Sequence, residues 1–492
     1  MSKNIQIIAI ILSICIGCSS EPEINIKASI SKYNLANEIN EKIGEEHFFQ
    51  DQAMKNINPR LGKALIKQLD SQKIYFTANE ILYFTNKFQS SADDVEIATS
   101  YELINLYFNR LIEATKYQIK IIQKKDFDFS KVENILIDSD LQEFRETNLD
   151  LKEIWVKLAK NDVLTSMLTD KTEDEAVELI SKRYKNRLRR ISQRNEEDIF
   201  SMVMNNLTGL FDPHSSYMSP KSAEDFEMTM SLNLEGIGAL LTTEDDYPII
   251  VSVVPGGPAE KSGKINPDDK IVKVRQIQKV EVDSVDVVGW RIDEVVQLIR
   301  GEAGTQLELE IIPAKTEDLS DRKWVLLTRE EVKLEEQAAK FLIVDSAEGK
   351  DNFKIGIIDL PAFYIDFNAW RDKDPDFRSS SKDVEDILNK FKLANVDAVI
   401  VDLRGNSGGS LYEANKLTGL FVSSGPTLQV KESNGDIRPW GSDRATQVWK
   451  KPMAVMVDRY SASASEIFAG AIQDYQRAVS YTHLTLPTIL LV

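Results

Sequence analysis

Two short segments near the C-terminal end of the chain combine glycine, serine and acidic side chains in a pattern that chemistry can use. The first, Asp402-Leu403-Arg404-Gly405-Asn406-Ser407-Gly408-Gly409, follows an apolar run at 398–403 and leads into a helical pattern at 411–421. Backbone N–H groups of such a turn lie exposed at a strand end, where they suit a negatively charged oxygen. The second, Asp458-Arg459-Tyr460-Ser461-Ala462-Ser463-Ala464-Ser465-Glu466, again reads strand, tight turn of small residues, helix. Small neighbours leave room for a substrate carbonyl to approach a serine hydroxyl. Each segment also has a plainer reading: a Gly-rich strand-to-helix turn can be geometry alone, and a serine cluster ahead of a helix is often an N-cap.

The remaining inventory narrows the chemistry. Both cysteines, Cys15 and Cys18, lie at the extreme N-terminus, and the three histidines, His47, His214 and His483, are scattered. Zinc clusters, a disulfide framework and a cysteine nucleophile in the body are excluded. No metal or other cofactor is expected. His214 adjoins a proline turn and reads as structural rather than as a base for serine. Catalysis is left to hydroxyls, carboxylates, lysines and backbone dipoles. A serine hydroxyl is inert near neutral pH unless a base takes its proton, and a lysine whose pKa is lowered by burial can serve. The chain holds 60 basic and 78 acidic side chains, a net charge of −18, which makes it a poor ligand for nucleic-acid phosphates.

Lys3 and the apolar run 5–16 form a charged region and a hydrophobic region too short to span a bilayer permanently, so residues 1–17 read as an export signal. Cys15-Ile16-Gly17-Cys18-Ser19-Ser20 resembles a bacterial lipobox, with Cys15 standing where leucine is usual. Acylation at Cys18 and cutting by an ordinary signal peptidase are the two readings. Either exports the body, and the first tethers it to a membrane by lipid alone. No later segment is long and apolar enough to span a membrane.

A length of 492 residues implies about three domains. At 23–230 the pattern is helical: Tyr101, Ile104, Phe108, Leu111, Ala114, Tyr117 and Ile121 recur at spacings of three and four, and Thr172-x-x-Glu175 has the form of a capping box. The helix it opens carries Lys182, Arg183, Lys185, Arg187, Arg189 and Arg190, read as a solvated face. From about Leu234 short β-branched runs broken by Gly and Pro mark a small β-rich module. Beyond Asp345 strands and helices alternate, as in an α/β layer architecture.

In the β-rich module, Gly236-Ile237-Gly238-Ala239-Leu240 lets successive N–H groups form a nest for a peptide's terminal carboxylate. With Gly257-Pro258-Ala259-x-x-Ser262-Gly263, Asp268-Asp269-Lys270-Ile271 and the helical run 292–299, this order of parts resembles a PDZ domain at 231–314. Such a domain adds an extended peptide beside 239–242. Combined with the two serine and glycine turns, it resembles the carboxy-terminal processing peptidases, or tail-specific proteases, from about Leu210 to Ala478. Asp212-Pro213-His214-Ser215-Ser216-Tyr217 and Gly289-Trp290-Arg291 also look like that family. The resemblance implies a multidomain α+β protein with a helical N-terminal domain, a PDZ domain and a crotonase-like α/β peptidase core at 315–478. It implies a Ser–Lys dyad with Ser463 as nucleophile, the N–H groups of Gly409 and Ala464 as oxyanion hole, and Glu466 and Asp474 as supporting acids. It further implies a periplasmic protein whose substrates offer accessible C-termini, and contact between the helical region and an adaptor lipoprotein.

The sequence departs from the family after Ala478. The dyad lysine should fall at Thr488, yet no lysine follows Lys451. Lys450 and Lys451 precede the strand leading to Ser463 and are not expected to substitute. Residues 479–492 back-translate to a library-adapter end and are expected to be foreign, leaving the peptidase core incomplete and this chain inactive. The alternative is a catalytically dead PDZ protein that captures C-termini or scaffolds an envelope complex.

Overall fold

The computed structural model describes residues 23–481 apart from 50–55, 92–93, 137, 278–283, 317, 319, 335–336, 346–352 and 443. The expected export signal, Cys18 and Thr488 lie outside the described residues. The chain divides into two compact units, meeting in sequence at Tyr217 and Met218.

The first unit is helical, with α1 (Ile30–Glu46), α2 (Ile57–Leu69), α3 (Ala78–Gln89), α4 (Ile97–Lys124), α5 (Asn148–Met167), α6 (Glu173–Ser192) and α7 (Glu196–Thr208). Four of these open on a reciprocal cap, Thr77 with Glu80, Thr147 with Asp150, Thr172 with Glu175 and Asn195 with Asp198. Each such cap is worth about 1 kcal/mol by satisfying N–H groups that have no partner in the first turn. The expected stripe on α4 is buried at Tyr101, Ile104, Phe108 and Ala114, but farther on Ile122 rather than Ile121 turns inward. At 3.6 residues per turn a straight stripe drifts by one position over so long a helix.

The second unit begins with α8 (Pro220–Ser231), a helix expected to belong to the N-terminal domain. Ion pairs hold it to the β-rich module: Lys221 to Asp293 at 3.0 Å and Asp225 to Arg300 at 2.6 Å. After β1 (Asn233–Gly236), that module contains β2 (Ala239–Glu244), β3 (Tyr247–Val253), α9 (Pro258–Ser262), β4 (Lys270–Ile277), β5 (Val285–Asp286), α10 (Ile292–Ile299), β6 (Gln306–Ile312) and β7 (Lys323–Thr328). The sheet order is β2-β3-β4-β6-β7, with β5 paired to β4, so a strand past the expected limit at 314 closes it. Ile237, Ile250, Ile271, Val274, Val295, Leu307, Leu309 and Val325 fill its core. Next, β8 (Glu330–Lys333) returns to pair antiparallel with β1.

The α/β core comprises β9 (Lys340–Asp345), β10 (Lys354–Asp359), α11 (Phe367–Arg371), α12 (Ser380–Leu393), β11 (Ala398–Asp402), α13 (Leu411–Phe421), the hairpin β12 (Gly425–Lys431) and β13 (Ile437–Ser442), β14 (Met453–Met456), α14 (Ala464–Asp474) and β15 (Val479–Tyr481). Its sheet runs β15-β14-β11-β10-β9, with only β9 antiparallel. Thus β15 adds to the sheet beyond the boundary expected at Ala478. Parallel strands covered by helices are near-continuously apolar, and Ile358, Val399, Val401, Val455, Leu388, Leu417, Phe421 and Phe468 meet in one buried cluster. The turns after β10, β11 and β14 lie at the carboxyl ends of these strands, where α/β sheets place their ligands.

Candidate active site

The turn after β14 is built on Asp458. Its Oδ1 accepts the N–H groups of Tyr460 at 2.9 Å and Ser461 at 3.2 Å, and from the neighbouring turn that of Gly405 at 3.1 Å. The Gly405 N–H and these companions hold the Asp458 carboxyl below the usual range. Ser461 Oγ completes the link by donating to the Leu403 carbonyl at 2.8 Å.

Ser463 follows with φ 54° and ψ −117°, a left-handed setting that costs a non-glycine residue about 1–3 kcal/mol. Two interactions with Glu466 hold it there. The Ser463 N–H donates to the Glu466 carboxylate at 2.7 Å, and the Glu466 N–H donates to the Ser463 carbonyl at 2.9 Å. Ser463 is exposed, and its hydroxyl makes no capping bond to α14.

The first turn is organised by Asn406, which is fully buried. Its Oδ1 accepts the Gly408 N–H and its Nδ2 donates to the Leu360 carbonyl, both at 2.8 Å. Its own carbonyl accepts the Ala462 N–H at 3.2 Å and the Ser465 hydroxyl at 2.9 Å. One side chain and one carbonyl therefore join the ends of β10, β11 and β14. Gly408 and Gly409 have φ of 111° and 138°, where a side chain is strained. A Cβ on Gly409 would sit 2.5 Å from the Phe363 carbonyl oxygen. Phe363 lies alongside, donating its N–H to the Gly408 carbonyl at 2.9 Å and accepting the Ser410 N–H at 2.8 Å. Among the described residues the N–H groups of Gly409 and Ala464 donate to no protein acceptor.

Of the residues singled out in the sequence, Gly409, Ser463, Ala464 and Glu466 are thus brought to the adjoining ends of two turns. Asp474 is not. It ends α14, about 15 Å along the helix axis from Ala464 at about 1.5 Å per residue, and is exposed. Lys451 Nζ donates to the Val396 carbonyl at 2.6 Å, at the end of β14 remote from Ser463, and so is no base for it. Asp402 closes β11 beside this site: burial pushes its carboxyl up, but Arg404, 2.7 Å away, outweighs that and leaves it below the usual range.

The first unit contains its own Ser, His and Asp cluster, which sequence reading did not find. His47 Nε2 lies 2.8 Å from Asp212 Oδ2 and 3.4 Å from Ser215 Oγ. The Phe49 N–H donates to His47 Nδ1 at 3.0 Å, which assigns the ring proton to Nε2. With that nitrogen donating, the imidazole has no lone pair for the Ser215 proton, so the cluster is a tether and not a triad. His214 contributes its backbone N–H to Asp212 at 2.7 Å, as a turn residue does.

In the β-rich module the carbonyls of Ile237 and Gly238 accept the N–H groups of Ala259 and Val254, both at 2.8 Å, while their own N–H groups have no acceptor among the described residues. The Ile237 side chain is buried in the core and offers no contact to a ligand; only its N–H does. Gly236 ends β1, Ala239 and Leu240 open the edge strand β2, and Leu240 is exposed. The α10 helix packs beside β2.

Known proteins share these parts. A family model described as Tail specific protease N-terminal domain matches residues 39–221, a PDZ domain model 226–312 and the Peptidase family S41 model 354–483. The Tail-specific protease of Haemophilus influenzae is 34% identical over 494 residues, covering 97% of this chain and 68% of that protein. The carboxy-terminal processing protease CtpA of Bacillus subtilis is 29% identical over 317 residues, 64% of this chain and 60% of that protein. Among solved structures, the PDZ domain of a carboxy-terminal protease from Vibrio cholerae in complex with peptide is 45% identical, covering 21% of this chain and 99% of that one, with a TM-score of 0.19. Fold and matches together define a serine-type peptidase that carries a PDZ domain. The chain belongs to the tail-specific, or carboxy-terminal processing, proteases of family S41, and spans about two thirds of the Haemophilus relative.

Proposed function

We propose that this protein is an exported endopeptidase that takes hold of protein C-termini in its PDZ groove and hydrolyses peptide bonds in the captured chain. Ser463 Oγ attacks the scissile carbonyl carbon while its proton passes to a lysine amine, and the N–H groups of Gly409 and Ala464 receive the oxygen that becomes negative. The peptide's carboxylate sits on the N–H groups of Ile237 and Gly238, and its strand lies along β2. The observation that carries this reading is the exposed Ser463, held at positive φ beside two N–H groups with no acceptor among the described residues. Envelope proteins are the substrates, the periplasm is the compartment, Cys18 is the acylated anchor, and the helical unit receives an adaptor lipoprotein.

By family resemblance the base belongs at position 488, where this sequence has Thr488. Residues 1–492 alone are accordingly expected to bind tails without cutting them. The test is to sequence the gene past the Ala478 codon and to assay its product on a substrate bearing an apolar C-terminal tag. A lysine in the new frame, with cleavage that Ser463→Ala abolishes, supports the reading. A frame that stops after Val492, with tail binding and no cleavage, replaces it with a PDZ scaffold.

A further inference from the structure

Behind the glycine turn stands a carboxylate that the proposed chemistry does not use. Glu413 lies in the first turn of α13, three residues after Ser410, and is completely buried. Its Oε2 accepts the Ser381 N–H at 2.7 Å and the Ser380 hydroxyl at 3.0 Å, so the carboxyl group sits on the N-terminal turn of α12. Its Oε1 is buried with no hydrogen-bond partner among the described residues. Burying a carboxylate with one oxygen unmatched is costly, and a well-packed apolar side chain would be more stable there.

The cost has a return in position. The segment 363–365 runs between two partners. On one side Phe363 pairs with Gly409, and on the other Ile365 bridges Ser379 while the Ser380 N–H donates to the Tyr364 carbonyl at 2.9 Å. Glu413 closes this circuit by joining the helix that begins at the glycine turn directly to Ser380 and Ser381. Gly408, inside the same turn, is pressed against Ser463, since a Cβ added to it would fall 2.7 Å from Ser463 Cβ. Displacing α13 from α12 therefore displaces the Gly409 N–H from the serine.

We infer that Glu413 is a positioning residue for the peptidase reaction: by tying α13 to the start of α12, it fixes the Gly408–Gly409 turn against Ser463. This rests on the proteolytic reading above. The experiment compares Glu413→Ala and Glu413→Gln with the parent, using the product of the complete gene for kinetics and residues 1–492 for hydrogen exchange. For Glu413→Ala the expected result is a kcat lower by about 100-fold, the scale of a lost oxyanion donor, with KM within about threefold because the PDZ groove is untouched. Glu413→Gln keeps an oxygen for the Ser381 N–H and recovers most of that loss. Exchange in Glu413→Ala accelerates at 363–365, 379–381 and 405–413 and nowhere else. A kcat equal to the parent's in folded Glu413→Ala overturns the inference, as does unchanged exchange at 405–413. If the parent itself fails to cleave, the proteolytic reading falls, and exchange alone then decides the positioning role.

Discussion

Gly408 stands in contact with Ser463 at a point where no side chain fits. An added Cβ would lie 2.7 Å from Ser463 Cβ, 2.9 Å from the Ala462 carbonyl oxygen and 3.1 Å from the Ala464 nitrogen. Two turns separated by more than fifty residues share one surface because one residue has hydrogen in place of a methyl group.

Gly408→Ala is therefore expected to act doubly. The residue sits at φ 111°, so alanine carries about 1–3 kcal/mol of backbone strain on top of the overlap. Urea unfolding of the second unit should show that loss, and cleavage by the complete gene product should fall by about 100-fold or more. Cleavage within tenfold of the parent would contradict the role of this contact.

Asp212 gives a pH dependence in the first unit. Burial pushes its carboxyl up, but hydrogen bonds from the Ser215 hydroxyl, His47 and the N–H groups of His214 and Ser215 prevail and hold it at about 2. A carboxyl depressed in the folded state stabilises at pH above its unfolded value, near 4, and the contribution is lost as pH falls toward 2. Asp212→Asn should lower the melting temperature at pH 6 and leave it nearly unchanged at pH 2. A constant difference across that range would show that the charge contributes nothing.

Peptide capture is expected to depend on the terminal carboxylate. The N–H groups of Ile237 and Gly238 have no acceptor among the described residues, so an apolar peptide ending in a free carboxylate should bind at least tenfold tighter than its C-terminal amide. Fluorescence anisotropy with residues 1–492 measures this without any need for catalysis. Equal affinities would move the binding mode away from the 236–240 loop.

Much of this was legible because it is local. The Thr172 cap, the α4 stripe, the strands of the core and both small-residue turns are set by residues within a few positions of one another. What escaped is long-range. Asn406 was visible only as a turn residue, although its amide reaches Leu360 across 46 positions, and Glu413 reaches Ser381 across 32. The tether of His47 to Asp212 spans 165 positions and joins a helix end to a proline turn. Asp474 shows the opposite: it is near Ser463 in sequence, but a rigid helix carries it away from the turn.

The core sheet is laid down in chain order, β10 beside β11, β11 beside β14 and β14 beside β15, and the first three of these strands each supply one turn of the site. A chain made from its N-terminus thus presents its helices, then the β-rich module, then the turn of Gly408 and Gly409, and Ser463 only after them. On the proteolytic reading, a half-made copy carries the place that grips a neighbour's tail before it carries the serine that cuts it, so the blade stays sheathed for most of its own synthesis.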